Sequence, residues 1–210
     1  MTCQLQLLEN MSFELAPRGA PANLKARGPV AIVDEQPNDV WAREQLLDDA
    51  FGPARFLKTC ERLRVGRLPA RGLALVAKDG ERLVATMRLW PVHAGIGRPA
   101  LLLGPLAVAR DCRSLGLGGA MIEAGLARAK ARNHRAVLLV GDAPYYERFG
   151  FDDAFTRDLV LPGPVERERF LGLELTKGAL EGASGRVLAT GERTEAAAHG
   201  AASIERSRAA

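Results

Sequence analysis

Residues Leu106 to Gly119 read Leu-Ala-Val-Ala-Arg-Asp-Cys-Arg-Ser-Leu-Gly-Leu-Gly-Gly, leaving an apolar stretch, crossing a glycine-rich turn and entering a segment of helical periodicity. This order of elements favours anions. The first amides of a helix have no acceptor within it, and the aligned peptide dipoles add partial positive charge there, so a diphosphate can satisfy several donors together. Gly116, Gly118 and Gly119 carry no side chain that would hold phosphates away from those amides. Glycine also marks tight packing and ordinary turns, so the turn needs support from the rest of the chain. A P-loop would continue Gly-Lys and then Ser or Thr, whereas Gly118 is followed by Gly119 and Ala120. A dinucleotide fingerprint would sit on the first strand of a βαβ unit with an acidic residue after the next strand. Asp142 does follow the next apolar run, so that alternative is weakened and stays open.

Positioning the turn takes a strand before it and a helix after it. Ala100 to Val108 reads as a strand, but Gly104-Pro105 within it cannot sustain a regular ladder because proline has no amide hydrogen. A bulge is predicted there, and with it an opening in the sheet. From Leu117 to Arg132 the apolar positions Leu117, Met121, Ile122, Leu126 and Ala129 share one helical face. The continuous apolar run Ala136 to Val140 predicts a buried strand parallel to the one before the helix, joined by a right-handed crossover. Upstream, Val30 to Val33 suits a first strand. Asn38 or Asp39 caps a helix that Gly52-Pro53 stops after Phe51, and a second helix is expected around Phe56 to Arg64. Gly72 to Lys78 and Arg82 to His93 read as a hairpin about Asp79-Gly80. A short helix from Pro144 to Phe149 and further strands beyond Phe151 complete an α/β fold with a mixed sheet. There is no internal repeat.

The 210 residues accommodate one domain, expected over 30–190. Residues 1–29, rich in Pro, Gly and Ala toward their end, read as a flexible leader, and 191–210 as a poorly ordered tail. With 47% hydrophobic and 26% charged residues, the composition is that of a water-soluble globular protein. No apolar run is long enough to span a bilayer, and the first residues lack the pattern of a secretory signal, so a cytoplasmic location is expected. Cys3, Cys60 and Cys112 are odd in number and lack metal-like spacing, which argues against a disulfide framework and a metal site. A net charge of +4 suits an anionic ligand. Aromatic residues make up only 5% and are not interleaved with basic runs, so the stacking platform of a nucleic-acid binder is missing.

Arg113-Ser-Leu-Gly116-Leu-Gly118 resembles the Arg/Gln-x-x-Gly-x-Gly/Ala signature of the GCN5-related N-acetyltransferase (GNAT) superfamily. Tyr145-Tyr-Glu-Arg-Phe-Gly-Phe151 resembles its later Tyr-x-x-x-Gly-Phe motif. Together with Gly104-Pro-Leu-Ala-Val108 and Val140-Gly-Asp-Ala-Pro144, these residues are similar to the YhbS-like branch of predicted N-acetyltransferases, over roughly Val30 to Phe151. The resemblance implies a central mixed, mostly antiparallel sheet flanked by helices, whose parallel strands 4 and 5 splay apart to admit acetyl-CoA. It implies that the backbone of Leu106, Ala107 and Val108 pairs with the pantetheine arm. It implies too that the amides of Arg113, Ser114, Leu115, Gly116, Leu117, Gly118 and Gly119 take the pyrophosphate. Ser114 and Leu115 stand where relatives often carry Gly and Gln or Lys, a change that backbone binding tolerates.

The activity implied is transfer of an acetyl group from acetyl-CoA to a primary amine by direct attack in a ternary complex, with no metal. The alternative is a non-catalytic acyl-CoA-binding regulatory module. Tyr146, four residues before Gly150, falls where the family places its general acid beside the CoA sulfur. An alkyl ammonium titrates near about 10.4, so a base or water chain must take its proton. The amide of Val108 is the expected oxyanion donor. His93 and Asp142 are candidate bases, Asp142 being alternatively a helix cap and His93 an exposed strand-end residue. Tyr145 suits packing or the wall of the acceptor site, and Trp90 the core or that same wall. Phe149 and Phe151 suit the core, and His134 the surface. Cys112 has no partner at a spacing that would make it a nucleophile. The acceptor would be a small-molecule or protein amine, with no nucleic-acid or membrane partner. Many family members are dimers, which implies a homodimer as one form.

Overall fold

The hairpin at Asp79-Gly80 organises the sheet. In the computed structural model, which describes residues 30–195, Gly80 turns at φ 59° between antiparallel strands β2 (Ala74–Asp79) and β3 (Arg82–Ala94). Strand β1 (Ala31–Asp34) pairs with the far side of β2, and β4 (Pro99–Val108) runs antiparallel to β3. Strand β5 (Ala136–Val140) is parallel to β4. It returns to β4 through the crossover helix α2 (Leu117–Ala131). After β6 (Leu159–Val160), β7 (Phe170–Glu174) extends the sheet beyond β5. Strand β8 (Gly185–Ala189) takes the half of β3 that β2 leaves unpaired, and β6 lies parallel beside it. The predicted mixed α/β sheet, with strands 4 and 5 parallel, is the observed one. The leader, Cys3 and the end of the tail lie outside the described residues.

Side chains divide between the two faces as the pleat requires. Helix α2 lies on the face of Leu75, Met87 and Leu89, whose side chains come within 2.3–3.7 Å of where a Cβ would stand at Gly125. Its Met121 and Ile122 are fully buried, as the helical stripe predicts. Helix α1 (Val40–Phe51) serves the opposite face, because Arg43 reaches Glu35, which continues the row of Ala74 and Arg88. Glu35 is only 5% exposed and is held by both Arg43 and Arg88, the double pairing that a buried carboxylate needs. A second apolar cluster joins Trp90, Leu102, Leu138 and Phe170 to Leu63 and to the chain after residue 158.

The expected second helix around Phe56 to Arg64 is two 3-10 turns instead, Pro53–Leu57 and Thr59–Leu63. Lys58 between them is extended, at φ −67° and ψ 144°. Tertiary hydrogen bonds hold this shape: the Thr59 hydroxyl donates to the carbonyl of Pro164, and Arg62 donates to that of Pro162. Partners about a hundred residues away thus override a local helical pattern. The next segment is held as well. Leu68 donates to Glu192, Thr194 donates to Gly66, and Arg67 bridges to Arg193.

Candidate active site

Strand β4 leaves its neighbours where Gly104-Pro105 falls. Its register with β3 passes from Met87↔Leu106 to Leu89↔Leu103, so Gly104 and Pro105 together oppose Arg88. This is the predicted bulge, two residues against one. The Trp90 indole donates to the carbonyl of Gly104 at 2.7 Å and fixes the extra peptide. Trp90 is 7% exposed and belongs to the core, not to the cleft wall. Pairing of β4 with β5 stops at Leu101↔Val137 and Leu102↔Leu138, and from Leu103 onward the two strands part.

Antiparallel pairing turns the backbone of alternate residues toward the partner strand. The amide of Ala109 donates to Val84 on β3, which sets the alternation. Ala107 therefore faces β3 as well, while the backbone groups of Leu106 and Val108 point into the gap. The Val108 carbonyl receives the Arg113 side chain at 3.3 Å. Leu106 and Val108, rather than Ala107, are thus the predicted residues that offer backbone groups to a ligand in the opening.

At the open end of β4 the chain makes a 3-10 turn, Arg110–Cys112, and then enters α2. Ser114 at φ 64° and Gly116 at φ 79° are left-handed, and this backbone path turns successive amides outward. The amide of Ala120 already bonds to Gly116, but those of residues 114–119 find no acceptor among the described residues. The three glycines have different tasks. Gly116 supplies the left-handed N-cap, whereas a Cβ at Gly118 would stand 2.8 Å from the Tyr145 hydroxyl and one at Gly119 would stand 3.5 Å from Arg148 and Phe149. Two of them let α3 (Ala143–Glu147) and the residues after it close onto the first turn of α2. Arg148, to which the sequence alone assigns no role, stacks on Tyr145 at 4.1 Å and stands beside Gly119.

Between the parted strands lies a cleft of about 930 Å³ that includes Leu103, Gly104, Leu106, Val140, Asp142 and Tyr146 in its walls. Tyr146 is half-buried, and its ring lies against Gly141 and edge-on to Tyr145 and Phe151. Burial pushes its hydroxyl up to about 12, and the neighbouring Tyr145 and Asp142 act in the same direction. Asp142 is exposed, and its side chain makes no cap bond to α3. Tyr145 lines the cleft too. Phe151 is core at 2% exposure, while Phe149 packs half-buried against that core.

His93 is elsewhere. It pairs with Pro99 on β4 and Leu188 on β8, roughly 15 Å along the strand from the opening at ~3.3 Å per residue. Cys112 is buried in the loop. His134 is half-buried after α2, with burial and Arg132 both lowering its value. The far wall of the cleft was not legible in advance. It comes from the two 3-10 turns, through Arg55, Lys58, Cys60, Glu61 and Arg64, and from the loop before β7, through Glu166 and Arg169. Among the described residues no group of three or more His, Cys, Asp and Glu could hold a metal, and no helix is long and apolar enough to cross a membrane.

Parted parallel strands with a left-handed glycine turn at the mouth define an acyl-CoA-type transferase fold. Residues 39–151, more than half of the chain, match the acetyltransferase (GNAT) family, and the chain belongs to that family as an acyltransferase. The N-acetyltransferase YhbS of Escherichia coli K12, itself uncharacterized, is 32% identical over 117 residues, 55% of this chain and 70% of that relative. The YhbS crystal structure in complex with CoA superposes with a TM-score of 0.67 at 29% identity, covering 81% of this chain and 94% of that one. A GNAT acetyltransferase from Brucella melitensis in complex with acetyl-CoA gives a TM-score of 0.54 at 25% identity, over 80% and 97% of the two chains.

Proposed function

We propose that the protein is an N-acetyltransferase that carries the acetyl group of acetyl-CoA to a primary amine by direct attack in a ternary complex. One conjunction carries this reading. Leu106 and Tyr146 line the cleft between the parted strands, the backbone of Leu106 and Val108 faces that gap, and the open amides of residues 114–119 follow directly at the end of β4. Solved relatives that contain CoA and acetyl-CoA share the fold.

In this reading Arg113 to Gly119 hold the pyrophosphate, and Leu106, Ala107 and Val108 form the strand edge along which the pantetheine arm runs. Acetyl-CoA supplies an activated thioester. The Val108 amide stabilises negative charge growing on the carbonyl oxygen. Tyr146, held up to about 12, stays protonated through the physiological range. Because a thiol ordinarily titrates near ~8.5, complete proton transfer from this hydroxyl would be uphill. Tyr146 therefore acts chiefly as a hydrogen-bond donor to the sulfur as that atom becomes negative. Asp142, exposed at the cleft and close enough to influence Tyr146, receives the amine proton through water.

The test pairs calorimetry with CoA and thiol release from acetyl-CoA across a panel of primary amines. Binding with turnover is expected. CoA binding with no thiol release from any amine would favour a regulatory acyl-CoA-binding module, and absence of both would end the proposal.

A further inference from the structure

Arg64 is out of keeping with its surroundings. It ends the second 3-10 turn, and its side chain is only 10% exposed. Its Nη2 donates to Glu61 at 2.9 Å, but its buried Nε has no partner among the described residues. Its Nη1 stands 3.9 Å from where a Cβ would be at Gly104, within the part of β4 that has left β5. A guanidinium carries five donors in a rigid fork, and leaving them unused away from water is costly.

The other cations of that wall are occupied differently. Arg55 is bound to Glu44 and Asp48, and Arg169 lies 3.6 Å from Glu166 while donating to the carbonyl of Gly141. Lys58 covers the ring of Phe51 at 4.7 Å and has no acidic partner among the described residues. Lys58 and Arg64 both lie close enough to the half-buried thiol of Cys60 to oppose the rise that burial imposes on it. Two under-used cations therefore flank one stretch of the cleft.

Building on the proposed acetyl transfer, we infer that Arg64 is a specificity residue that binds a carboxylate on the acceptor, so that the preferred acceptors are amino acids or other amino-carboxylates. The fork geometry of guanidinium matches a carboxylate, and the partial burial of Arg64 strengthens such a contact. Lys58 adds a second, more exposed positive charge to the same stretch.

Products probe this site without turnover. N-acetylated α-, β- and γ-amino acids and their carboxamides are titrated into the full chain, with and without saturating CoA. The expected result is at least one acid that binds about tenfold or more tightly than its amide, the scale of a charge-assisted hydrogen bond. Arg64→Ala should erase that acid-over-amide ratio, Arg64→Lys should retain part of it, and CoA affinity should stay unchanged in both. Equal binding of acids and amides by the unaltered chain, or a ratio that survives Arg64→Ala, overturns the inference, and the first of these needs no variant to fold. The CoA titration in the same samples reads the cofactor proposal separately, so failure of one is not mistaken for failure of the other.

Discussion

The turn at the end of β4 and the wall of the cleft near the 3-10 turns are built from different materials. The turn at residues 113–119 offers backbone: unpaired amides, a left-handed Gly116 and side chains such as Leu115 that point to solvent at 51% exposure. The cleft wall offers side chains, with Arg55, Lys58, Glu61 and Arg64 on turns held in place by Pro162 and Pro164. A ligand shared by many proteins can be gripped by peptide groups that every sequence possesses. A ligand particular to one protein has to be met by chosen side chains, and these can change without disturbing the turn.

Several substitutions would break or sharpen this contrast. The largest effect is expected at Tyr146, where Tyr146→Phe should lower kcat about 100- to 1,000-fold while leaving CoA affinity unchanged in calorimetry. A matching loss of CoA binding would assign Tyr146 to the cofactor side as packing. Next, Glu35→Ala removes the carboxylate that Arg43 and Arg88 share, leaving Arg43 with Glu44 alone, and should cost about 3–5 kcal/mol in urea unfolding, since α1 is fastened to the sheet through that carboxylate. A cost below 1 kcal/mol, about the value of a surface pair, would mean the cluster is hydrated.

Gly118→Val should displace Tyr145 and weaken CoA about 10- to 100-fold in calorimetry, the range of an overpacking penalty. The tyrosine titration is a smaller signal. The raised value of Tyr146 gives stability that is complete below about pH 10 and fades as pH climbs toward 12. Absorbance should show one of the two tyrosines ionising late, and Tyr146→Phe should remove that step. The smallest effect belongs to Leu115→Ala, expected to change CoA affinity less than about twofold. A large loss there would mean that side chains, not amides, hold the pyrophosphate.

This difference in materials also explains what could be read from the sequence. The turn, α2 and β5 are contiguous, and each depends on local chemistry: Gly116 needs φ 79°, the stripe from Leu117 to Ala129 needs a helix, and Ala136 to Val140 is apolar throughout. The bulge was legible because Pro105 lacks a donor, whatever surrounds it. The side-chain wall was not. Phe56 to Arg64 carries a helical pattern that contacts a hundred residues downstream reshape, and nothing near Arg64 in the sequence announces that Gly104 lies opposite. His93 stands near the end of β3, as its place after the run from Arg82 suggests, and the pairing of β3 with β4 carries it away from the opening.

The strand-like contacts between residues 66–68 and 192–194 begin two positions after Arg64. They act as a hasp on the chain just past the cation-bearing wall. If the proposed roles hold, clipping the protein ahead of Glu192 spares the turn at residues 114–119 and Tyr146 yet loosens the segment that carries Arg64. Such a shortened chain would keep its hold on CoA and forfeit its preference for acids over amides.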